Sequence, residues 1–329
     1  MSRYFVTGAT GFVGGELVKQ LLGRGHDVVA LVRAPARATF LKALGVEMHT
    51  GDITDRASLR RPMEGVDGVF HVAAWYQVGV RNPDAERINV EGTRHVLDVM
   101  RELGIPKGVY TSTVAVFGNT RGRVVDETYR FAGPFDSEYG RTKWKAHYEV
   151  AVPAIEAGLP LVIVQPGVVY GPGDTSGIRQ LWVQHLRGRL PAVPGRTAYC
   201  WGHIEDTARG HILAMERGQA GESYILTGPA HTMRDAVRTA ARISGRRPPL
   251  LSIPPIVFRA LSPVMGLVER VTEVPASMTA EGLRVLAGST YLASPAKAHQ
   301  ALGFETRSLE EGLRHTIEHE LRQLGRTAT

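Results

Sequence analysis

The chain has 329 residues, 43% of them hydrophobic, with a formal charge of +7 and a single cysteine, Cys200. That length can bury a sizeable core as one large domain or as two lobes, and a lone cysteine excludes an intramolecular disulfide. The basic residues are scattered, with only "GRR" at Gly245–Arg247 forming a short cluster, so solvated surface rather than a nucleic-acid partner is expected.

No charged leader with an apolar h-region precedes "RYFVTG", and a cytoplasmic protein is expected. From there short apolar runs alternate with helical patterns. "YFVTG", "DVVALVR", "VEMHTGD", "GVFHVAA", "KGVYTST" and "LPLVIVQPG" read as buried strands, and "GGELVKQLLGRG" and "DAERINVEGTRHVLDVMRELG" as amphipathic helices between them. Such alternation predicts βαβ units and a Rossmann-type, doubly wound parallel α/β sheet. After Gly171 proline and glycine break the rhythm, which predicts a smaller, mainly helical C-terminal substrate lobe. The expected division is 1–170, with a return segment at about 203–228, for the dinucleotide domain, and 171–202 with 229–329 for the substrate lobe. The apolar stretch from Pro248 to Thr272 contains prolines, Arg259 and Glu269. It is too interrupted to span a bilayer, so a lid or pocket wall is expected and no membrane partner.

"TGATGFVGG" sets Gly8, Gly11 and Gly14 between the first strand and the first helix. There a dinucleotide pyrophosphate meets the free N–H groups of a helix N-terminus. An NAD enzyme would show an acid about twenty residues further on, at the end of the second strand. This chain shows Arg33 there, with Arg37 as a possible second cation, while Asp27 lies at the wrong end of the strand. NADP(H) is therefore preferred and NAD(H) kept as the alternative. Asp52 in "TGDITD" is placed to accept from the adenine amine, with Thr54 or Asp55 free to cap the following helix.

In "EYGRTKWKAHYE", Tyr139 and Lys143 are four apart and share one helix face. A phenol has a reference pKa of about 10, and a neighbouring ammonium favours its ionised form, which fits it for acid–base work. Two helical stripes, Trp144, Tyr148, Val152 and Ile155 with Val96, Met100 and Leu103, predict a homodimer through a four-helix contact.

"TGATGFVG", "GDITD", "HVAA", "NVEGT", "YTSTVAVFG", "YGRTK", "QPGVVYGPGD" and "HIEDTA" stand in an order and spacing that resembles the extended short-chain dehydrogenase/reductases, the NAD-dependent epimerase/dehydratase family. The carboxyl-terminal portion resembles its dihydroflavonol-reductase-like branch. The resemblance implies catalytic roles for Tyr139, Lys143 and Thr113, with Ser112 as the alternative hydroxyl. It also implies cofactor contacts from Phe12 and Val13 N–H groups, Ile53 beside Asp52, Ala73, Ala74 and Thr111, and from the loop containing Pro166, Val168 and Val169. Asn89 serves either the ribose region or helix packing, and His203 and Asp206 tie the lobes together. Thr113 is followed by Val114 and Ala115 where sugar-nucleotide dehydratases carry Asp-Glu, so dehydration lacks its acid. Tyr199 stands where galactose epimerases place a pyrophosphate-binding arginine, though Arg196 is near. Trp75, Tyr76, Trp182, Tyr199 and Trp201 suggest an apolar pocket. The expectation is a hydride-transferring enzyme acting on a small hydrophobic carbonyl or alcohol, without a metal. Its alternatives are a sugar-nucleotide epimerase working through a transient 4-keto species, and a dinucleotide-sensing regulator.

Overall fold

Period-two burial on both faces is what makes the central strands continuous apolar runs. In β1 (Arg3–Thr7), Tyr4 and Val6 enter one core and Phe5 the other; in β2 (Asp27–Val32), Val28, Ala30 and Val32 oppose Val29 and Leu31 in the same way. The computed structural model describes residues 1–325. Its further strands are β3 (Glu47–Thr50), β4 (Gly68–His71), β5 (Gly108–Thr111), β6 (Leu161–Pro166), β7 (Val168–Tyr170), β8 (Ala192–Pro194), β9 (Ala198–His203), β10 (Ser223–Leu226), β11 (Ala230–Thr232), β12 (Leu251–Ile253) and β13 (Thr290–Tyr291).

A parallel seven-stranded sheet runs in the order β10-β6-β5-β4-β1-β2-β3. The chain winds outward from β1 to β3 and then returns to β4, so a crevice opens beyond the carboxyl ends of β1 and β4, where Thr7 lies beside His71. Helices Phe12–Gly23, Ile204–Arg217 and Ala296–Leu302 cover one face, and Ala57–Met63, Gly92–Glu102 and the turns of 138–156 cover the other.

Beyond β6 only β10 returns to this sheet. β9 pairs with β7, β11 and β13, and β8 pairs with β12. Helices Gly177–Leu186, Met233–Ser244 and Leu309–Gln323 close around them. Trp182 and Trp201 form the middle of this second core, 0% and 1% exposed, with their ring centroids 5.8 Å apart. They were expected on a pocket wall, and the structure puts them in the interior instead. The cause is that Trp182 faces inward from its helix and Trp201 from β9, where both find apolar neighbours.

The two stripes expected to make a dimer contact are also inward. Val96 and Met100 are fully buried, Leu103, Val152 and Ile155 pack on the same core, and Trp144 and Tyr148 pack with Val114 and Phe117. Each stripe covers the molecule's own sheet, so the four-helix contact loses its basis. Among the described residues no helix is long and apolar enough to cross a membrane.

Candidate active site

The loop after β1 is shaped by contacts that only glycine permits. Gly8 has φ +76°, and a Cβ there would stand 2.7 Å from the Ala73 nitrogen; one on Gly14 would stand 2.1 Å from the Gly8 carbonyl oxygen. Close approach of loop, helix and β4 therefore depends on both. Gly11 caps the helix without a side-chain hydrogen bond, and its own N–H donates to Gly8 O at 2.9 Å. The first-turn N–H groups of Phe12 and Val13 thus face the crevice at the positive end of a helix. A bare, uncapped N-terminus over a cradle with no room for side chains fits a dinucleotide pyrophosphate.

Arg33 follows β2 at the crevice edge and Arg37 closes a short 3₁₀ turn; both are exposed, and among the described residues neither guanidinium has a hydrogen bond or ion pair. Asp52 Oδ1 accepts from the Thr54 N–H and hydroxyl, both at 2.8 Å, while Asp55 takes the Ala57 N–H at 3.1 Å and so serves the helix start. The second Asp52 oxygen has no partner among the described residues. Ile53 buries its side chain against Gly92, and its carbonyl accepts from His95. Ala73 N–H is held by Thr7 Oγ1 at 3.1 Å, and Ala74 is exposed just beyond. Pro166 ends β6, with Val168 and Val169 half-buried in β7 opposite β9.

Tyr139 and Lys143 lie on helix Glu138–Lys145, which starts at Ser137, whose hydroxyl accepts the Gly140 N–H at 3.1 Å. The Tyr139 ring meets Tyr76 edge to face at 4.7 Å, and Tyr76 is 51% exposed at the cleft mouth. Burial pushes the Tyr139 phenol above the usual range, Tyr76 adds to this, and the nearby Thr113 hydroxyl pulls it back. The phenol is thus kept protonated by the protein. Ser112 and Thr113 point to opposite sides of the extended chain after β5. Ser112 is buried with its hydroxyl on His147 Nδ1 at 2.8 Å, whereas Thr113 caps the following 3₁₀ turn and reaches Tyr139.

Lys143 departs from expectation. Its Nζ donates to Tyr110 Oη at 2.9 Å and to the Thr111 carbonyl at 2.7 Å, and it is not among the groups that shift Tyr139. Burial holds its own pKa down to about 7. Although Tyr139 and Lys143 share a helix face, the lysine stem bends onto β5, where buried acceptors await it. The Thr111 hydroxyl is likewise committed, donating to His211 Nε2 at 3.0 Å, since His211 Nδ1 donates to the Thr207 carbonyl.

Behind Lys143 lies a buried chain of hydroxyls and one imidazole that the motif reading did not single out. Thr7 Oγ1 accepts the Val72 and Ala73 N–H groups, so its own proton goes to His71 Nδ1 at 2.8 Å. His71 Nε2–H then donates to Thr93 Oγ1 at 3.0 Å, and Thr93 donates to the Asn89 carbonyl at 2.7 Å. Tyr110 stacks on His71, lies near Thr93 and accepts from Lys143. The signal was present in the histidine of "HVAA" and the tyrosine of "VYTST", but strand residues of unknown facing carry no chemistry by themselves. Asn89 resolves to helix packing, bonding Trp75 N–H at 2.7 Å, the Trp75 carbonyl and Thr142 Oγ1. Asp206 pairs with Arg307 at 3.0 Å and joins helix Ile204–Arg217 to the C-terminal segment.

These buried bases give stability a definite pH sign. Burial holds His71 and His147 down to about 3, and His203 and His211 to about 4. Between those values and the ordinary 6.5 the unfolded chain binds protons that the native state refuses, so stability falls as pH falls. Lys143 does the same between about 7 and 10.5, so its contribution makes stability climb with pH across that window. Urea unfolding across both windows is expected to show these slopes, with the alkaline one flattened in Lys143→Met. A wild-type profile that falls from neutral to mildly alkaline pH would contradict the assignment.

An uncapped helix over a glycine cradle, at the switch point of a parallel sheet and beside a Tyr-x-x-x-Lys helix, defines an extended short-chain dehydrogenase/reductase enzyme. The chain belongs to the NAD-dependent epimerase/dehydratase family, whose model matches residues 4–226. It is similar to a putative dihydroflavonol 4-reductase of Synechocystis, 33% identical over 329 residues and covering 95% of this chain and 93% of that protein. It is also similar to sterol demethylase protein B of Methylococcus capsulatus, 33% identical over 274 residues, with 80% and 81% covered. Among solved structures, that of gox2253 superposes with a TM-score of 0.85 at 32% identity, covering 99% of this chain and 100% of the other.

Proposed function

We propose that the chain is an NADP(H)-dependent oxidoreductase interconverting a ketone or aldehyde and the matching alcohol on a hydrophobic small molecule. The observation that carries this reading is Tyr139: a phenol kept protonated by burial, close to the Thr113 hydroxyl and packed against a tyrosine at the cleft mouth. A protonated phenol is the form that donates to a carbonyl oxygen. Relatives named as a reductase and as a sterol-modifying protein support redox chemistry on an apolar substrate.

The N–H groups of Phe12, Val13 and Gly14 would hold the pyrophosphate, with Gly8 and Gly11 making room. Asp52 would take the adenine amine, Ala73 and Ala74 would flank the sugar, and the Pro166–Val169 loop would hold the carboxamide. When bound, the nicotinamide supplies hydride in reduction and accepts it in oxidation. Thr113 holds the substrate oxygen while Tyr139 gives it the proton, so the carbonyl becomes an alcohol; oxidation returns the proton to Tyr139. Lys143, anchored on β5, would offer its amino group to the nicotinamide ribose. Trp75 and Tyr76, from a cofactor domain of 1–170 and 203–228, and Tyr199, from a lobe of 171–202 and 229–329, would face substrate. A cytoplasmic location belongs to the same reading; a homodimer, with the four-helix contact withdrawn, would need another surface, and light scattering tests it.

Arg33 is assigned to the 2′-phosphate. Arg33→Asp is expected to weaken NADPH about 10- to 100-fold with little change for NADH, because a charge-assisted contact is replaced by repulsion. Fluorescence titration reads this, and equal affinities for the two cofactors in the unsubstituted protein would overturn it. An epimerase reading draws on Arg196, exposed and without an ion pair among the described residues, as a possible pyrophosphate contact. It is separated from the first by net cofactor consumption, which only the reductase shows.

A further inference from the structure

The outer face of helix Pro255–Val268 lacks the polar side expected of a surface helix. At 100° per residue Ile256, Ala260, Pro263, Val264 and Leu267 share one face, and Ile256 is 68% and Leu267 63% exposed. The inner face is already satisfied: Phe258 packs with Leu283 and Ala287, and the Ser262 hydroxyl donates to the Ala280 carbonyl at 3.0 Å. The apolar surface continues into both flanks, with Leu250 94% and Val271 86% exposed. An exposed apolar patch of this extent marks an interaction site.

Its rim is cationic. Arg246 and Arg247 precede Leu250, Arg259 stands on the helix flank, and Arg270 follows its end. Arg121 and Arg196 join Arg259 and Ile256 around a cleft of about 830 Å³ at the foot of the helix. Among the described residues none of these six guanidinium groups has an ion-pair or hydrogen-bond partner. Two acids stand in the same region, Glu269, whose carboxylate accepts the Ala280 N–H, and the exposed Glu273, so the six guanidinium groups outnumber them.

We propose that this face docks on the surface of a bilayer carrying anionic headgroups, with the helix lying in the interface and the arginines meeting phosphate groups. An apolar face rimmed by arginine is the pattern of a helix that lies on a membrane rather than crossing it. A second copy is the less suitable occupant, because a two-fold contact through this face would bring its unpaired arginines toward their own equivalents. The proposal is independent of the reaction assigned above and departs from the expectations of a lid or pocket wall at Pro248–Thr272 and of no membrane partner.

Co-sedimentation of the full chain with vesicles of phosphatidylcholine alone, and with phosphatidylglycerol added, tests it. Binding is expected to be at least about tenfold tighter to the anionic vesicles and to weaken as salt is raised. Ile256→Asp with Leu267→Asp is expected to abolish it without changing the melting temperature, both side chains being exposed, and Arg246→Glu with Arg270→Glu to remove the preference for anionic lipid. Absence of binding to either vesicle, or equal binding to both, would overturn the proposal. So would self-association in the absence of lipid that the double aspartate variant abolishes, which would assign the face to a second copy.

Discussion

Tyr139→Phe is expected to lower kcat by about 10²- to 10⁴-fold, the usual contribution of a positioned general acid. Dinucleotide affinity should hardly change, because the phenol acts on the substrate oxygen. The substitution keeps the ring that meets Tyr76 at 4.7 Å, so the cleft wall survives and the loss reports on the hydroxyl alone. Thr113→Ser retains a hydroxyl and should be mild, whereas Thr113→Val removes it and should be severe in kcat. The valine variant also loses the acceptor of the Ala115 N–H, so its stability must be measured beside its rate. Steady-state oxidation of NADPH with a carbonyl substrate is the readout, and full turnover by Tyr139→Phe would assign the proton to another group.

The second large effect belongs to Gly14. A methyl group there would sit 2.1 Å from the Gly8 oxygen and 2.7 Å from the Gly8 carbon, both backbone atoms, so the helix must retreat from the loop. Gly14→Ala is expected to cost roughly 1–3 kcal/mol through overpacking and to abolish measurable dinucleotide binding, since the N–H groups of Phe12 and Val13 move with the helix. Gly15→Ala is the matched control: it lies in the same turn and meets only ordinary contacts, the nearest at 3.5 Å from Ala9 O. Thermal unfolding and cofactor fluorescence should separate the two variants. A Gly14→Ala protein that melts and binds like the unsubstituted chain would show that the cradle is looser than its geometry implies.

Much of the central sheet was legible because its information is local. The runs in β1, β2 and β6 are apolar on both faces, and the glycines of "TGATGFVGG" mark a turn that few other residues could make. Ordered motifs then carried the family. What escaped depends on which way a side chain faces after folding. Trp182 and Trp201 are the same letters in a pocket wall and in a core, and the structure places them in the core. Stripes such as Val96, Met100 and Ile155 show that a helix has an apolar face without saying whether sheet or partner covers it. The spacing of Tyr139 and Lys143 put them on one face, yet the lysine is held by Tyr110 and the Thr111 carbonyl, partners more than thirty residues away in sequence. The same limit hid the line from Thr7 through His71 to Thr93, whose members come from two strands and a helix.

The central claim is net transfer of hydride to a carbonyl with Tyr139 as the acid. It is tested most directly by following NADPH absorbance while the protein is offered a panel of lipophilic ketones and aldehydes beside UDP- and GDP-sugars. The account predicts consumption of NADPH in step with alcohol formed from a lipophilic carbonyl, and no such turnover in Tyr139→Phe. Interconversion of a sugar nucleotide with the nicotinamide unchanged, and no NADPH consumed with any carbonyl, would contradict it.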